Sequence, residues 1–422
     1  MKRLCILFPS VTLLTLGLTG IAFSQNTWTK ASSQGFSPRF SFTSSEVNGK
    51  IYVTGGSYTF SQVSPTTQAY DPKTNTWSTL NTSGSFKIRT AATACVVNGM
   101  IYVIGGYDAN LTDISEVDVF DPAKSTWSAP TVTGTFDPRD GHTSAVVGNK
   151  IYVIGGSDSL GNFPSTVDVF DPSTNTWSQP ETFGKFTPRT DLSSCVIDNK
   201  IYVLGGSIDS GLNTSYSHVS ILEVFDPSTN QWSSPVTTGA MTGRSAFTAN
   251  AVGNKIYAIG GLGYGSYPYV DNLDVFDPST NTWISPATVG LFTDRFSLSS
   301  SVVDGKIYAL GGFNFAYSDS GSLNINEILT PESSSVVVVS KPEDIVLSPN
   351  PTHGITTAYS IPQDVSRIAI LNVLGQSVLE IPSGGLSVAR LNLSKLVPGL
   401  YYARFFSGRS VVEKKILVEQ WP

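Results

Sequence analysis

The sequence predicts an all-β fold of short repeated sheets, and three recurrences in the chain carry that prediction. An apolar strand ending in a glycine pair occurs six times, at residues 51–56, 101–106, 151–156, 201–206, 256–261 and 307–312. The first glycines stand at 55, 105, 155, 205, 260 and 311, and a period near ~50 residues marks a β-propeller array. An arginine precedes every first glycine by sixteen residues, at Arg39, Arg89, Arg139, Arg189, Arg244 and Arg295. A turn dipeptide sits between each arginine and its glycine pair: Asn48-Gly49, Asn98-Gly99, Gly148-Asn149, Asp198-Asn199, Gly253-Asn254 and Asp304-Gly305.

These dipeptides adopt positive φ at low cost and favour two-residue primed hairpin turns, so the first two strands of each repeat form an antiparallel hairpin. The second strand, of the Ile-Tyr-Val/Ala type, is apolar on both faces and is expected inside the structure. The glycine pair allows a close backbone approach or a left-handed turn. A third strand ends in an aromatic-Asp-Pro step at residues 70–72, 120–122, 170–172, 225–227 and 276–278, and Asp-Pro opens a turn. A fourth strand follows at Trp77, Trp127, Trp177, Trp232 and Trp283.

The combination of Gly-Gly, aromatic-Asp-Pro and tryptophan at these spacings resembles the kelch motif. The resemblance implies a six-bladed propeller of four-stranded sheets over residues 25–335. The sixth repeat has no tryptophan after its third strand, whereas Asn26-Thr27-Trp28 copies the Asn-Thr-Trp of residues 75–77, 175–177 and 281–283. The amino-terminal strand is therefore expected to complete the sixth blade and close the ring.

Lys2-Arg3, the uncharged apolar run over residues 4–23, and Ala22-Phe23-Ser24 read as a signal peptide, residues 1–24. No other stretch is apolar enough to span a membrane, so none is expected after signal removal. The formal charge of -6 becomes -8 once Lys2 and Arg3 are gone, which argues against nucleic acid as a partner. Cys95 and Cys195 occupy equivalent positions two repeats apart and are expected to be small packed side chains rather than a bridge.

The repeat stops near Pro331, and residues 336–344 read as a linker. Short alternating runs broken by Gly and Pro over residues 345–422 predict a small β-sandwich. The phrases at residues 347–352, 371–376, 391–394, 398–401 and 415–418 resemble, in order, the carboxy-terminal sorting domain of the type IX secretion system of Bacteroidetes. That resemblance implies the secretion machinery as a partner and an extracellular or outer-membrane-surface location.

Three histidines, His142, His218 and His353, lie far apart, and neither they nor the cysteines form a metal set by the usual spacings, so no metal or cofactor is expected. His142 stands three residues after Arg139 and is a candidate for the channel. The six arginines could ring the channel and grip an acidic ligand by forked hydrogen bonds, although strict recurrence favours a role in the sheets themselves.

Variable connections after the glycine pairs carry Tyr58, Phe60, Tyr107, Asp108, Phe163, Tyr216, Tyr264, Tyr267, Tyr269, Phe315 and Tyr317. Gathered on one face, they would form an aromatic surface suited to a carbohydrate or a surface protein. The reading favours a binding module over an enzyme. A sugar-handling enzyme like the kelch sialic acid mutarotases, and a structural adhesin or matrix component, are the alternatives.

Overall fold

The computed structural model describes residues 25–209, 216–264, 268–317, 321–332, 345–359, 361, 365–373, 376–382, 386–407 and 410–419. The expected signal peptide and the linker lie outside the described residues. Every regular element among the described residues is a strand. The chain divides into two compact units, one spanning Gln25–Glu332 and the other following it.

In the first unit each repeat forms one antiparallel sheet in chain order, beginning with Thr43–Val47, Lys50–Thr54, Thr67–Asp71 and Thr76–Thr79. The next four sheets repeat this order, starting at Thr93–Val97, Thr143–Val147, Ser193–Ile197 and Thr248–Val252. The sixth takes Ser299–Val303, Lys306–Leu310 and Asn326–Thr330 from its own repeat and Thr27–Lys30 from the amino end, with Trp28 opposite Leu329.

The hairpin turns follow from the dipeptides: Asn48 and Gly49 both have positive φ, at 53° and 78°. The second strands are fully buried on one face, where Ile51, Val53, Ile151, Val153, Ile201 and Val203 have no exposed area, and partly covered on the other, where Tyr152 is buried and Tyr52, Tyr102 and Tyr202 are half-buried. Each packs against its neighbour, as where Ile151, Val153, Phe170 and Trp177 share a core with Val97, Ile104 and Val117 of the preceding sheet. Each fully buried aromatic here contributes about 1.5–3 kcal/mol of burial.

Two circuits of backbone hydrogen bonds join the sheets. The N–H groups of Ala91, Gly141, Asp191, Ala246 and Ser297 each donate to the carbonyl of the equivalent residue one repeat earlier, and Ser41 donates to Ser297 at 2.8 Å, returning to the start. All six residues have φ between 50° and 61°, a strained region for side-chain-bearing residues that these bonds stabilise. In the second circuit the second glycine of each pair donates to the arginine carbonyl of the next repeat, ending with Gly312 to Arg39 at 2.9 Å. The first glycine lies against that same carbonyl. A Cβ on Gly311, whose φ is 52°, would stand 2.6 Å from the Arg39 oxygen.

The second unit has a three-stranded sheet (Val346–Ser348, Ile355–Tyr359, Val388–Asn392) and a four-stranded one (Ser377–Pro382, Val365–Leu371, Gly399–Ser407, Ser410–Val418). Ala358, Ala389 and Leu391 from the first pack with Ile368, Ile370, Ala403, Phe405 and Ile416 from the second in one core. Alternation along the strands puts these residues on the two inner faces.

Candidate functional site

The second and third residues after each arginine rim an opening between the six first strands. A cavity of about 130 Å3 is lined by Ser41, Ala91, Gly141, Asp191, Ala246 and Ser297 together with the residues that follow them. Below it, a cavity of about 210 Å3 is lined chiefly by hydroxyls, among them Thr43, Ser44, Thr143, Ser144, Ser193, Ser194, Thr248, Ser299 and Ser300. These link neighbouring sheets, as in Ser44 to Ser299 at 2.8 Å and Thr143 to Ser194 at 2.7 Å. Cys95 belongs to the same belt, with its thiol 3.1 Å from the Ser144 hydroxyl, and both Cys95 and Cys195 are free thiols.

The arginines are not at the opening. All six are at most 1% exposed, and none lines either cavity. Five meet a carboxylate on the third strand of their own sheet: Arg89 with Asp118, Arg139 with Asp168 at 2.8 Å, Arg189 with Glu223 at 2.5 Å, Arg244 with Asp274, and Arg295 with Glu327 at 2.7 Å. Arg39 instead donates to the Gln68 amide oxygen at 2.9 Å, and burial pushes its guanidinium down to about 10. The candidacy of the six arginines for the channel is thereby corrected, because the guanidiniums are committed inside the sheets, the placement that their strict recurrence favoured. The acid partner stands two residues before the buried aromatic or Leu329 in each third strand, a constant offset that the sequence contains.

His142 does line the cavities, but its imidazole is 4% exposed and its Nε2 faces the Ile104 carbonyl at 3.2 Å. Burial and the nearby Arg139 push it down to about 3, so the ring is neutral at physiological pH and is a poor proton acceptor.

The variable loops begin beside the rim, because the residue after each arginine forms a bridge to the residue after each glycine pair, as in Phe40 with Ser57 and Phe296 with Phe313. Between the sixth and first sheets these bridges gather aromatics. Phe313, 1% exposed, is the hub, with ring centroids 4.9 Å from Phe40, 5.1 Å from Phe60, 5.2 Å from Phe296 and 4.7 Å from Phe315. Tyr269 stacks on Phe296 at 6.1 Å, and the Tyr317 hydroxyl donates to Asp294 at 2.8 Å. Phe60, Phe315 and Tyr317 remain exposed, at 71%, 61% and 54%. The Ser322 hydroxyl ties this loop to the Tyr58 carbonyl, and the Tyr58 hydroxyl accepts from Ser64 at 2.9 Å.

The other loop candidates are dispersed. Tyr264 is exposed and packs edge-on to His218, and Phe163 is half-buried in the third repeat. Tyr216 lies on the short strand Tyr216–His218, and Tyr267 is outside the described residues. Asp108 caps its own loop by accepting from the backbone of Asn110 at 2.8 Å and Thr112 at 3.1 Å.

Beside the opening, which Asp191 lines, stands a cluster of acids that the variable-loop candidates did not include. Asp140 follows Arg139 directly, Asp191 is two residues after Arg189, and Asp113 comes from the loop that pairs with Tyr107. Burial, the Asp191 and Asp113 charges and a hydrogen bond with Asp113 push the Asp140 carboxyl up to about 7. Burial and the same three carboxylates, Asp140 first, raise the Tyr107 phenol. The signal was variation at the first two positions after each arginine, which read Phe-Ser, Thr-Ala, Asp-Gly, Thr-Asp, Ser-Ala and Phe-Ser around the repeats.

An Asp140→Asn variant is expected to be more stable than the parent at pH 8, by about 1 kcal/mol, and to lose that advantage near pH 5. The folded carboxyl sits above its ordinary value of 3.8, so its contribution is fully present at low pH and is lost as pH rises toward 7. Asparagine, neutral throughout, escapes that loss. Thermal unfolding at both pH values measures it, and an advantage that does not change with pH would contradict the assignment.

Residues 15–156 and 141–330 match the model of the KLHDC2/KLHL20/DRC7 Kelch-repeats domain, and residues 347–419 match that of the secretion system C-terminal sorting domain. Among curated proteins, the chain is 40% identical over 72 residues to the human Rab9 effector protein with kelch motifs, and 39% identical to its mouse counterpart. These alignments cover 16% of the chain and 19% of each relative.

Proposed function

The chain belongs to the kelch-repeat family and ends in a type IX secretion sorting domain, and from that premise we propose that it is an exported six-bladed propeller that binds carbohydrate on its variable-loop face. Six sheets, two hydrogen-bond circuits that return to their starting repeat, and the pairing of Thr27–Lys30 with Asn326–Thr330 support the closed ring. In this reading residues 1–24 are a signal peptide, and residues 345–422 direct passage to the cell surface or medium in the manner of Bacteroidetes.

The observation that carries the ligand class is the aromatic surface over Phe313. Three exposed rings beside a polar opening offer flat apolar faces for the C–H side of a pyranose, with hydroxyl and carboxylate acceptors within the same rim. Loops that differ between repeats are where a regular scaffold acquires specificity. The six guanidiniums are buried inside the sheets and so are not offered to an acidic sugar at this face.

Titration of the full chain against a panel of neutral and charged oligosaccharides tests this. Saturable binding is expected, weakened at least about tenfold, or ~1.4 kcal/mol, by a Phe60→Ala, Phe315→Ala double substitution. No binding across the panel, or the same affinity in the double variant, would overturn it.

A further inference from the structure

We propose that the outer edge of the first sheet, strand Thr76–Thr79, takes an extended acidic segment of another polypeptide as an added parallel strand. The site is separate from the aromatic face and does not depend on the carbohydrate reading.

In the other five sheets the fourth strand is not outermost. The connector arriving from the preceding repeat lies parallel beside it, as Thr133 lies opposite Thr176 and Val289 opposite Thr27. The Thr133 N–H donates to the Asn175 carbonyl at 3.0 Å, and the Thr133 carbonyl accepts from the Trp177 N–H at 2.8 Å. Among the described residues nothing pairs in this way with Thr76–Thr79.

One missing residue accounts for the difference. Phe36 stands eight residues after Trp28, whereas Phe136 and its counterparts in the other repeats stand nine after the tryptophan that precedes them. The shortened connector turns over residues 33–36, where the Phe36 N–H donates to the Ser33 carbonyl at 3.0 Å. It meets the first sheet through side chains instead: the Ser32 N–H donates to the Asn75 amide oxygen at 2.8 Å, and the Trp77 indole donates to the Ser32 carbonyl at 2.9 Å. A Cβ on Gly35 would stand 3.6 Å from the Trp77 carbonyl oxygen, against 2.4 Å for Gly134 and Trp177, so the connector is drawn back from the strand.

Tyr70 pairs with Trp77 as Phe170 pairs with Trp177, so the Trp77 N–H and the Asn75 carbonyl keep their outward direction without those backbone partners. Trp77 is half-buried, while the five tryptophans with a connector beside them are at most 6% exposed. Thr76, Ser78 and Thr79 are exposed. An edge with unpaired backbone groups, no proline and no charge is a template for a further strand, and the five internal connectors show the form that strand takes.

Lysines at one end of the edge set the charge of the occupant. Lys73 lies two residues before Asn75 and Lys30 two residues before Ser32, and both are exposed. Neither meets a carboxylate among the described residues, whereas the nearby Lys50 ammonium is 3.3 Å from Asp71. The repeats whose edge is covered have alanine or serine in place of Lys73, at residues 123, 173, 228 and 279. A parallel occupant enters at the Asn75 end, so acids just before its pairing residue reach these two ammonium groups.

The test is titration of the full chain with a capped peptide, Glu-Asp-Thr-Val-Thr-Gly-Thr, whose last five residues copy 131–135, and with the same peptide carrying Lys-Lys in place of the acids. The acidic peptide is expected to bind at least about tenfold more tightly at low salt, and to protect residues 75–79 from hydrogen exchange. Insertion of one threonine between Gly35 and Phe36 restores the spacing of the other connectors and should abolish binding. A Lys30→Glu, Lys73→Glu variant, altered only at exposed positions, should lose the preference for the acidic peptide. The Phe60→Ala, Phe315→Ala variant should bind the peptide as the parent does, so this inference and the carbohydrate reading fail separately.

No binding of either peptide, equal affinities for the two, or protection outside residues 75–79 would overturn the proposal. So would an insertion variant that binds as the parent does. Self-association of the full chain that the insertion abolishes would overturn the separate partner and put a second copy of this chain at the edge.

Discussion

Replacing Trp28 with alanine is expected to destabilise the repeat unit by about 3–5 kcal/mol, as large-to-small changes at buried aromatics do. Trp28 is 5% exposed, its ring centroid lies 4.7 Å from that of Phe292, and its strand pairs with Asn326–Thr330. Its N–H also donates to the Val289 carbonyl at 2.7 Å, and its own carbonyl lies against Gly290 as Trp177 lies against Gly134 and Trp283 against Gly239. A side chain about three hundred residues from its strand partner Leu329 thus completes the sixth sheet. The cost should appear in melting of the whole unit, because the strand seals an edge between the two ends of an array. Phe60→Ala, a change of similar size at an exposed ring, is the control. Equal melting temperatures for the two variants would contradict ring closure.

The second large effect concerns the buried ion pairs. Arg295→Met is expected to cost about 3–5 kcal/mol, since it strands the Glu327 carboxylate in a site with no exposed area. Glu327 would keep the Thr293 hydroxyl at 2.7 Å but lose its charged partner, and the Gly311 and Ala309 carbonyls would lose donors at 2.6 and 3.0 Å. Adding Glu327→Gln should recover part of the loss, because a neutral amide needs no counterion. Arg39→Met provides the comparison: its partner is Gln68, so no carboxylate is stranded and the loss should be smaller. Chemical denaturation of the three variants and the parent measures this, and an equal loss at Arg39 and Arg295 would contradict the stranded charge as its origin.

Much of this architecture was legible in the chain because the repeat writes each structural need six times. Asn48-Gly49 announces its hairpin, and Gly55 and Gly56 announce a backbone contact that no Cβ fits. Trp28 was legible because it copies the tryptophans of complete repeats. The acid partners of the arginines were not, since loops of different length separate them from the glycine pair and hide their constant offset from the buried aromatic.

The candidate site was half legible for a related reason. Phe60, Phe315 and Tyr317 stand out as aromatics in variable loops, yet nothing in the sequence says that Phe313 lies beneath two of them. Asp113, Asp140 and Asp191 come from three repeats, and only the closeness of neighbouring rims brings their charges together. Asp108 shows the converse, a loop acid whose position invited a ligand role and whose carboxylate is occupied by its own backbone.

The most direct test of the central claim is hydrogen exchange of the full chain with and without the sugar it binds best. Protection is predicted in residues 57–66 and 313–317 and at the rim around Asp140 and Asp191. Protection confined to the hairpin tips at residues 48–49, 98–99 and 148–149, or to residues 345–419, would contradict the loop face as the binding site.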